Sequence, residues 1–412
     1  MKNTNCAPIS KYLFFFLFLW QLNVFAQDSL RVMSYNLMLF PDGTSFSRVP
    51  YLRYIVDAYK PDIFAVCEVE TENASDTILQ HVLQPVNPAY RAAAFEWSHS
   101  NPNGTLQQML YYNSDKLELT GQTYLTTNVR DINHYTLILK TTEMATDTVF
   151  LDVYVMHLKA SGGQTNEQKR LNMVNVLTAD LANIPPDHHV LVVGDFNLYR
   201  SSEPAYTELT DTTNAVVLKD PVNRPGYWHN NSAFADLHTQ SPNTNKGGNY
   251  VGGGLDDRFD FILVSSEMMQ PSQNLYYATG SYAAFGNNGN CFNDDINDTA
   301  CSGRYSQTLR DNLWNMSDHI PVVATFYTAQ HFAVPAYAMT RFSVFPNPSS
   351  DYISLGKNAH GHLFRITDVA GKIVKTYKNY KGEKWYIGDL KAGLYYVVPD
   401  SPYMESVPFV KE

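Results

Sequence analysis

Six apolar runs in the first 330 residues carry a carboxylate, an amide or a histidine where the hydrophobic stretch begins or ends. They are LRVMSYNLMLF from Leu30, DIFAVCEVE from Asp62, TVFLDVYVMHLKA from Thr148, HVLVVGDFNLY from His189, RFDFILVSS from Arg258 and, after SDH, PVVATFY from Pro321. Short runs this continuously apolar read as strands buried on both faces, and a sheet hidden on both faces needs a second layer on each side. QMLYYN adds a further strand. Between strands, Leu52, Ile55, Val56 and Tyr59 fall at helical spacing and Pro61 stops that helix. Thr165-Asn166-Glu167-Gln168 reads as a capping box opening a second helix, with Leu171, Val174, Leu177 and Leu181 on one face. The pattern predicts an α+β or α/β sandwich: two layered sheets flanked by helices, with polar residues at strand ends forming one rim.

At 412 residues the chain exceeds one ordinary domain, so a large domain with smaller attachments is expected. With 44% hydrophobic, 13% aromatic and 17% charged residues it is globular, which excludes wholesale disorder, a collagen-like repeat and a multi-span membrane protein. The net charge of −10 excludes a broad basic face, so a nucleic-acid substrate would need local help from divalent cations or a few Lys and Arg at a cleft rim. Lys2 and Lys11 flank a polar start, and Tyr12 to Trp20 is an apolar run ended by Gln21 and Asn23. This reads as a signal peptide over residues 1–26, with Val24 and Ala26 small enough for cleavage before Gln27. The run is shorter than the ~20 apolar residues of a membrane span, and no later segment qualifies, so the mature chain is expected to have no stable span. Export permits disulfides. Cys6 leaves with the signal, Cys67 reads as a buried thiol, and Cys291 and Cys301 form a disulfide candidate inside one polar loop. Asp294, Asp295 and Asp298 in that loop do not match an EF-hand, and the segment reads as a solvated loop closed by the cysteine pair.

The strand-end residues have a common chemistry. Asn36, Glu68 and Asp318 offer the amide and carboxylate oxygens that a hard ion such as Mg²⁺ prefers, with Mn²⁺ or Ca²⁺ as alternatives. His157 and His319 are then free for proton transfer, and Asp195 and Asn197 lie beside them in the reading of GDFN.

In this order, SYN, PDIFAVCEVE, HLKA, VVGDFN, RFDFILVS and SDHIPVVATF resemble the endonuclease/exonuclease/phosphatase superfamily, the deoxyribonuclease-like fold, from about Leu30 to Phe326. The resemblance implies a four-layered α/β sandwich of two mixed sheets whose members cut phosphate esters with a divalent cation. Carried over by motif, Asn36 and Glu68 would bind metal, Asp195 and Asn197 would orient nucleophile and phosphate, Asp260 would pair with the base His319, and His157 would be the acid-side histidine. Where deoxyribonucleases of the pancreatic type hold that histidine with a glutamate, this chain has Leu106, Gln107 and Gln108.

FPNPSSDYISL, FRITDVAGKIVKTYK and DLKAGLYYV resemble the C-terminal sorting domain of the type IX secretion system, which implies a small β-sandwich and passage through that machinery to the cell surface or medium. The expected organisation is a signal peptide (1–26), a phosphoesterase domain (27–328), a linker (329–342) and a sorting domain (343–412). The expected activity is a secreted phosphodiesterase, foremost an endonuclease on extracellular DNA or RNA and acting as a monomer. The alternatives are a phospholipase C, sphingomyelinase-like or phosphomonoesterase activity on the same fold, and a catalytically dead surface-binding protein.

Overall fold

The structure is a computed structural model describing residues 28–43, 45–333, 342–378, 380–401 and 404–412. The expected signal peptide and most of the expected linker lie outside the described residues. The chain divides into two compact units, residues 1–333 and 334–412.

The N-terminal unit is built on two sheets. The first comprises β1 (Ser29–Phe40), β2 (Ile63–Val69), β3 (Tyr90–Ala92), β4 (Gln107–Asn113), β11 (Leu275–Tyr277), β12 (Ala283–Ala284) and β13 (Val322–Thr328). Its order is β11-β13-β1-β2-β4-β3, with β12 beside β13 and the β1–β2 pair parallel. The second comprises β5 (Leu117–Leu125), β6 (Ile132–Leu139), β7 (Phe150–His157), β8 (His189–Asp195), β9 (Leu218–Lys219) and β10 (Asp260–Ser265). Its order is β5-β6-β7-β8-β10-β9, with β7 and β8 parallel. The helices are α1 (Val49–Tyr59), α2 (Glu72–Thr77), α3 (Gln164–Leu181), α4 (Pro204–Leu209) and α5 (Gln307–Met316).

Side-chain alternation explains the layering. Val32, Ala65, Leu110 and Phe326 of the first sheet pack against Leu137, Val153, Leu191 and Ile262 of the second. The intervening residues point outward: Met33, Phe64 and Val323 meet Leu52, Ile55 and Val56 of α1 and Leu313 of α5. On the far side, Tyr154, Val192 and Leu263 meet Met173, Val174 and Leu177 of α3 and Leu209 of α4. Both faces of each central strand are therefore apolar, and the result is the expected four-layered α/β sandwich.

One local expectation is corrected. α3 begins at Gln164 behind Gly163, whose φ of 93° turns the chain into the helix, so Thr165 already lies inside and its hydroxyl caps nothing. The loop carrying Cys291 and Cys301 is closed by their disulfide and exposes Asp294 and Asp298, as expected; beneath it both cysteines and Ile296 are buried, and Arg310 donates to the Ile296 and Asp298 carbonyls. Cys67 is a free buried thiol, as expected.

The C-terminal unit holds a sheet of β14 (Val344–Phe345), β15 (Tyr352–Leu355) and β18 (Trp385–Tyr386). A second sheet is ordered β17 (Ile373–Tyr377), β16 (Phe364–Asp368), β19 (Gly393–Pro399) and β20 (Val407–Lys411). Ile353, Phe364, Ile366, Trp385, Val397 and Phe409 form its core.

One buried charge in the second sheet ties stability to pH. Asp152 accepts hydrogen bonds from His134 Nε2 (2.7 Å), Thr136 Oγ1 (2.7 Å) and His188 Nδ1 (2.6 Å). Burial alone would raise its pKa, but these donors outweigh it and hold the carboxyl below the usual range. A depressed folded-state pKa contributes stability above the unfolded value of about 3.9, and that stability is lost as pH falls through the folded value. Asp152→Asn is therefore expected to cost about 1–3 kcal/mol near neutrality. Its deficit, read from melting curves by circular dichroism, should shrink below about pH 4; an equal deficit at all pH values would contradict this reading.

Candidate active site

The site forms where β1, β2, β7, β8 and β10 end on one rim. Parallel pairing sets His157 directly opposite Asp195, and antiparallel pairing sets Asp195 opposite Asp260. β7 and β8 approach closely at Gly194, where a Cβ would overlap the Met156 carbonyl oxygen and where φ is 133°. Only glycine fits immediately before Asp195.

Asp195 is the hub, and it is only 2% exposed. Its Oδ1 accepts from the Asn197 backbone (3.0 Å) and side-chain amide (2.8 Å), and its Oδ2 from Asn36 Nδ2 (3.1 Å). The same Oδ2 lies 3.3 Å from His157 Nε2 and 3.8 Å from His319 Nε2. His319 Nδ1 is 2.7 Å from Asp260 Oδ2, as its expected partnership requires. Asn36 Nδ2 also donates to Glu68 Oε1 at 3.0 Å, and Glu68 Oε1 is 3.9 Å from His157 Nδ1. Asp318 accepts from the Val251 amide (3.1 Å) and joins the group through its field on His319. All eight residues singled out in the sequence thus converge.

The backbone is shaped to turn Glu68 into the site. Register shifts interrupt β1–β2 and β2–β4 there, and Met38, Leu39 and Glu68 take φ values of 48°, 46° and 64°. Left-handed backbone at non-glycine residues costs on the order of 1–2 kcal/mol each and needs outside support. Leu39 N donates to Glu68 Oε2, and the Arg48 guanidinium donates to the Leu37, Met38, Leu39 and Met316 carbonyls. Arg48 thereby satisfies the carbonyls that the bulge leaves unpaired.

Burial pushes Asp195 up to about 7, with Asp260 and Glu68 adding to the rise. Burial also raises Asp318, followed by the field of Glu68. For His319, burial disfavours the proton, but Asp260, Asp195 and Asp318 outweigh it and lift the pKa well above the ordinary histidine value. His157 shows the reverse: burial, then Arg130, lowers it far below that value and keeps the ring neutral. Its Nδ1 has no hydrogen-bond partner. The two glutamines at the position of the missing glutamate point elsewhere, Gln107 to the Gly104 carbonyl and Gln108 to that of Asp131.

Three participants carried no motif in the sequence. Arg48 braces the bulge, Gln240 Nε2 lies 2.7 Å from His319 Nε2, and Arg130 donates to the carbonyls of His157 and Leu158. Arg130 and Lys159 also line a cleft of about 310 Å³ with Ser98, Asn101 and Asn103. Apart from the predicted set, His229, Asp256 and Asp257 bring three ligand atoms within 4.8 Å of one another, a group that could hold a metal ion.

Residues 343–401 match the family model of the secretion system C-terminal sorting domain. The tail is a sorting domain. It directs the chain by type IX secretion to the cell surface or the extracellular space. No helix among the described residues is long and apolar enough to cross a membrane. No curated protein matches the chain. Among solved structures it is similar to the human Nocturnin catalytic domain with bound sulfate, at 17% identity and a TM-score of 0.44, covering 74% of this chain and 98% of that one. It is similar to TDP2 of D. rerio complexed with a single-strand DNA product, at 17% identity and a TM-score of 0.46, covering 73% and 100%. The endonuclease/exonuclease/phosphatase from Bacteroides vulgatus is similar at 15% identity and a TM-score of 0.47, covering 73% and 100%.

Deleting the sorting domain from Ser343 onward should leave the protein in the periplasm of the producing cell. Fractionation with immunoblotting checks this; normal arrival of the truncated chain at the surface or in the medium would contradict it.

Proposed function

We propose that the N-terminal unit is an extracellular, divalent-cation-dependent phosphodiesterase acting on nucleic acid. The observation that carries this reading is the convergence of two histidines of opposite character, one backed by Asp260, on the single buried carboxylate of Asp195. Pairs of titratable groups whose surroundings drive their pKa values apart are what acid–base chemistry at one bond requires.

The donor set fits a hard cation. Glu68, Asp318 and Asp195 supply carboxylate oxygens, and the buried His157 Nδ1 near Glu68 lacks a partner. Glu68 and Asp318 would hold the ion with Asn36, whose amide now offers Nδ2 to Glu68 and must turn to offer oxygen. A bound divalent ion would polarise the phosphate ester and offset the negative charge that keeps the His319 proton in place. His319, oriented through Nδ1 by Asp260, takes a proton from the attacking water at Nε2. Asp195, held by Asn36 and Asn197, orients that water. His157 stays neutral and donates from Nε2 on the leaving side, so its contribution is a hydrogen bond to developing charge.

Arg130 and Lys159 favour a polyanionic substrate. In a chain of net charge −10 they border the cleft beside His157 and bond only to backbone carbonyls, without a carboxylate partner among the described residues. The exposed Trp97, packed edge-on against Phe95, adds a face on which a base can stack.

Purified protein should cleave plasmid DNA or RNA with Mg²⁺ and not with chelator, while sphingomyelin and a chromogenic phosphomonoester turn over far more slowly. Cleavage of the lipid or the monoester alone would contradict the nucleic-acid assignment, and inactivity on all four would contradict the enzyme reading. Glu68→Gln should raise the Mg²⁺ concentration for half-maximal activity by about tenfold or more, with partial recovery at high metal. Wild-type activity of that variant at limiting Mg²⁺ would contradict the role of Glu68.

A further inference from the structure

We propose that His229, Asp256 and Asp257 form a second metal site, apart from the active centre, that takes a divalent transition-metal ion such as Zn²⁺. It stands independently of the reading of the active centre.

The geometry is that of a coordination site. Each of the three side chains offers one ligand atom, and these atoms lie within 4.8 Å of one another. His229 Nδ1 is 2.7 Å from Asp257 Oδ1. Two ligands at about 2.1 Å from one ion, on neighbouring positions, stand about 3 Å apart. An ion therefore fits there once it replaces the single proton shared between nitrogen and oxygen. The neutral ring keeps its proton by carrying it on Nε2, which frees the Nδ1 lone pair for the metal. The His229 side chain is 37% exposed, so water can accept from that Nε2 proton and an ion can enter with waters still attached.

Asp257 gives an independent sign of a ligand. It is only 8% exposed, yet its Oδ2 has no hydrogen-bond donor among the described residues, and neither carboxylate oxygen of Asp256 has one. No lysine or arginine pairs with either carboxylate among the described residues, so His229 is the positive partner they share. Burial, and then the field of Asp256, push Asp257 up to about 6. A bound cation relieves that crowding. The nitrogen sets the class of ion: imidazole beside carboxylate suits Zn²⁺ and its first-row neighbours, whereas Mg²⁺ and Ca²⁺ prefer oxygen alone.

The backbone holds the three residues in place. Trp228 N and His229 N both donate to the Tyr199 carbonyl (2.9 and 3.2 Å), and Asn230 N donates to the Asp256 carbonyl (2.8 Å). Asp256 N and Asp257 N donate to the Gln240 carbonyl (3.0 and 2.9 Å), while the Asp257 carbonyl accepts from Thr239 N (2.7 Å) and Gln240 N (3.1 Å). The rings of Tyr199 and Tyr227 stand edge-on to His229 at 5.3 and 6.2 Å and limit its swing. A frame fixed in this way sets the ligand positions ahead of binding. The ion would clamp His229, which is tied to the segment following Asn197, to the chain entering β10 just ahead of Asp260. Its expected effect is on stability, since an ion that binds only the folded chain raises the melting temperature.

The test uses the full chain, stripped with chelator, dialysed and titrated with Zn²⁺ by isothermal titration calorimetry. Wild type should bind one equivalent more than His229→Ala, and Asp257→Asn should lose the same equivalent. The loss should be equal in a Glu68→Gln background, because the two sites are separate. An excess of Mg²⁺ of about hundredfold should leave this equivalent bound. The rise in melting temperature on adding Zn²⁺, read by circular dichroism, should be smaller in His229→Ala by about 3 °C or more. Metal-free circular dichroism confirms that each variant is folded. Equal Zn²⁺ stoichiometry in wild type and folded His229→Ala overturns the proposal. So does displacement of this equivalent by Mg²⁺, which would mark an ordinary acidic surface, or its disappearance in Glu68→Gln alone, which would mark it as part of the active centre.

Discussion

Much of the N-terminal unit can be understood from one unfavourable arrangement, a carboxylate removed from water beside other carboxylates. Asp195 is buried with Asp260 paired across the strands and Glu68 nearby, and its pKa is pushed to about 7. Three hydrogen bonds from Asn36 and Asn197 and the field of His319 hold it in place. Each of these partners sits on a different strand end or loop, so the site exists only when both sheets are assembled in register. A one-residue slip of β8 against β7 or β10 would turn Asp195 into the opposite layer. The glycine before it, the bulge that presents Glu68 and the arginine that braces the bulge serve the same constraint.

The two histidines illustrate how one pocket produces opposite behaviour. Both are almost fully buried, and burial drives both toward the neutral form. His319 faces three carboxylates, which reverse the effect, while His157 has Arg130 behind it, which reinforces it. Their difference in proton affinity follows from neighbours supplied by distant parts of the chain.

What could be read from the sequence follows the same division. The strand ends were legible because each couples an apolar run to a polar stop, and a buried sheet leaves such residues nowhere but the rim. Asn36, Glu68, His157, Asp195, Asp260 and His319 could therefore be named together. Gln240, Arg48 and Arg130 were not legible. They reach the site from a loop, the residue before a helix and the bend that precedes β6, where no periodicity marks them. The start of α3 was misplaced because Gly163 can adopt a positive φ that a capping motif two residues later does not reveal. The disulfide loop was legible as a polar stretch closed by two cysteines, but its anchoring by Arg310 and Ile296 was not, because they look like ordinary helix and loop residues.

The account depends most directly on Asp195. Replacing it with asparagine keeps the shape and the hydrogen-bonding reach while removing the charge, so folding and catalysis should part. In the presence of chelator at about pH 8, Asp195→Asn should melt at or above the wild-type temperature, because a group whose folded pKa is raised destabilises the fold once ionised. With Mg²⁺ restored, its phosphodiester hydrolysis should fall by at least about 10². A folded Asp195→Asn protein that retains wild-type turnover would contradict the central claim that this buried carboxylate organises the chemistry.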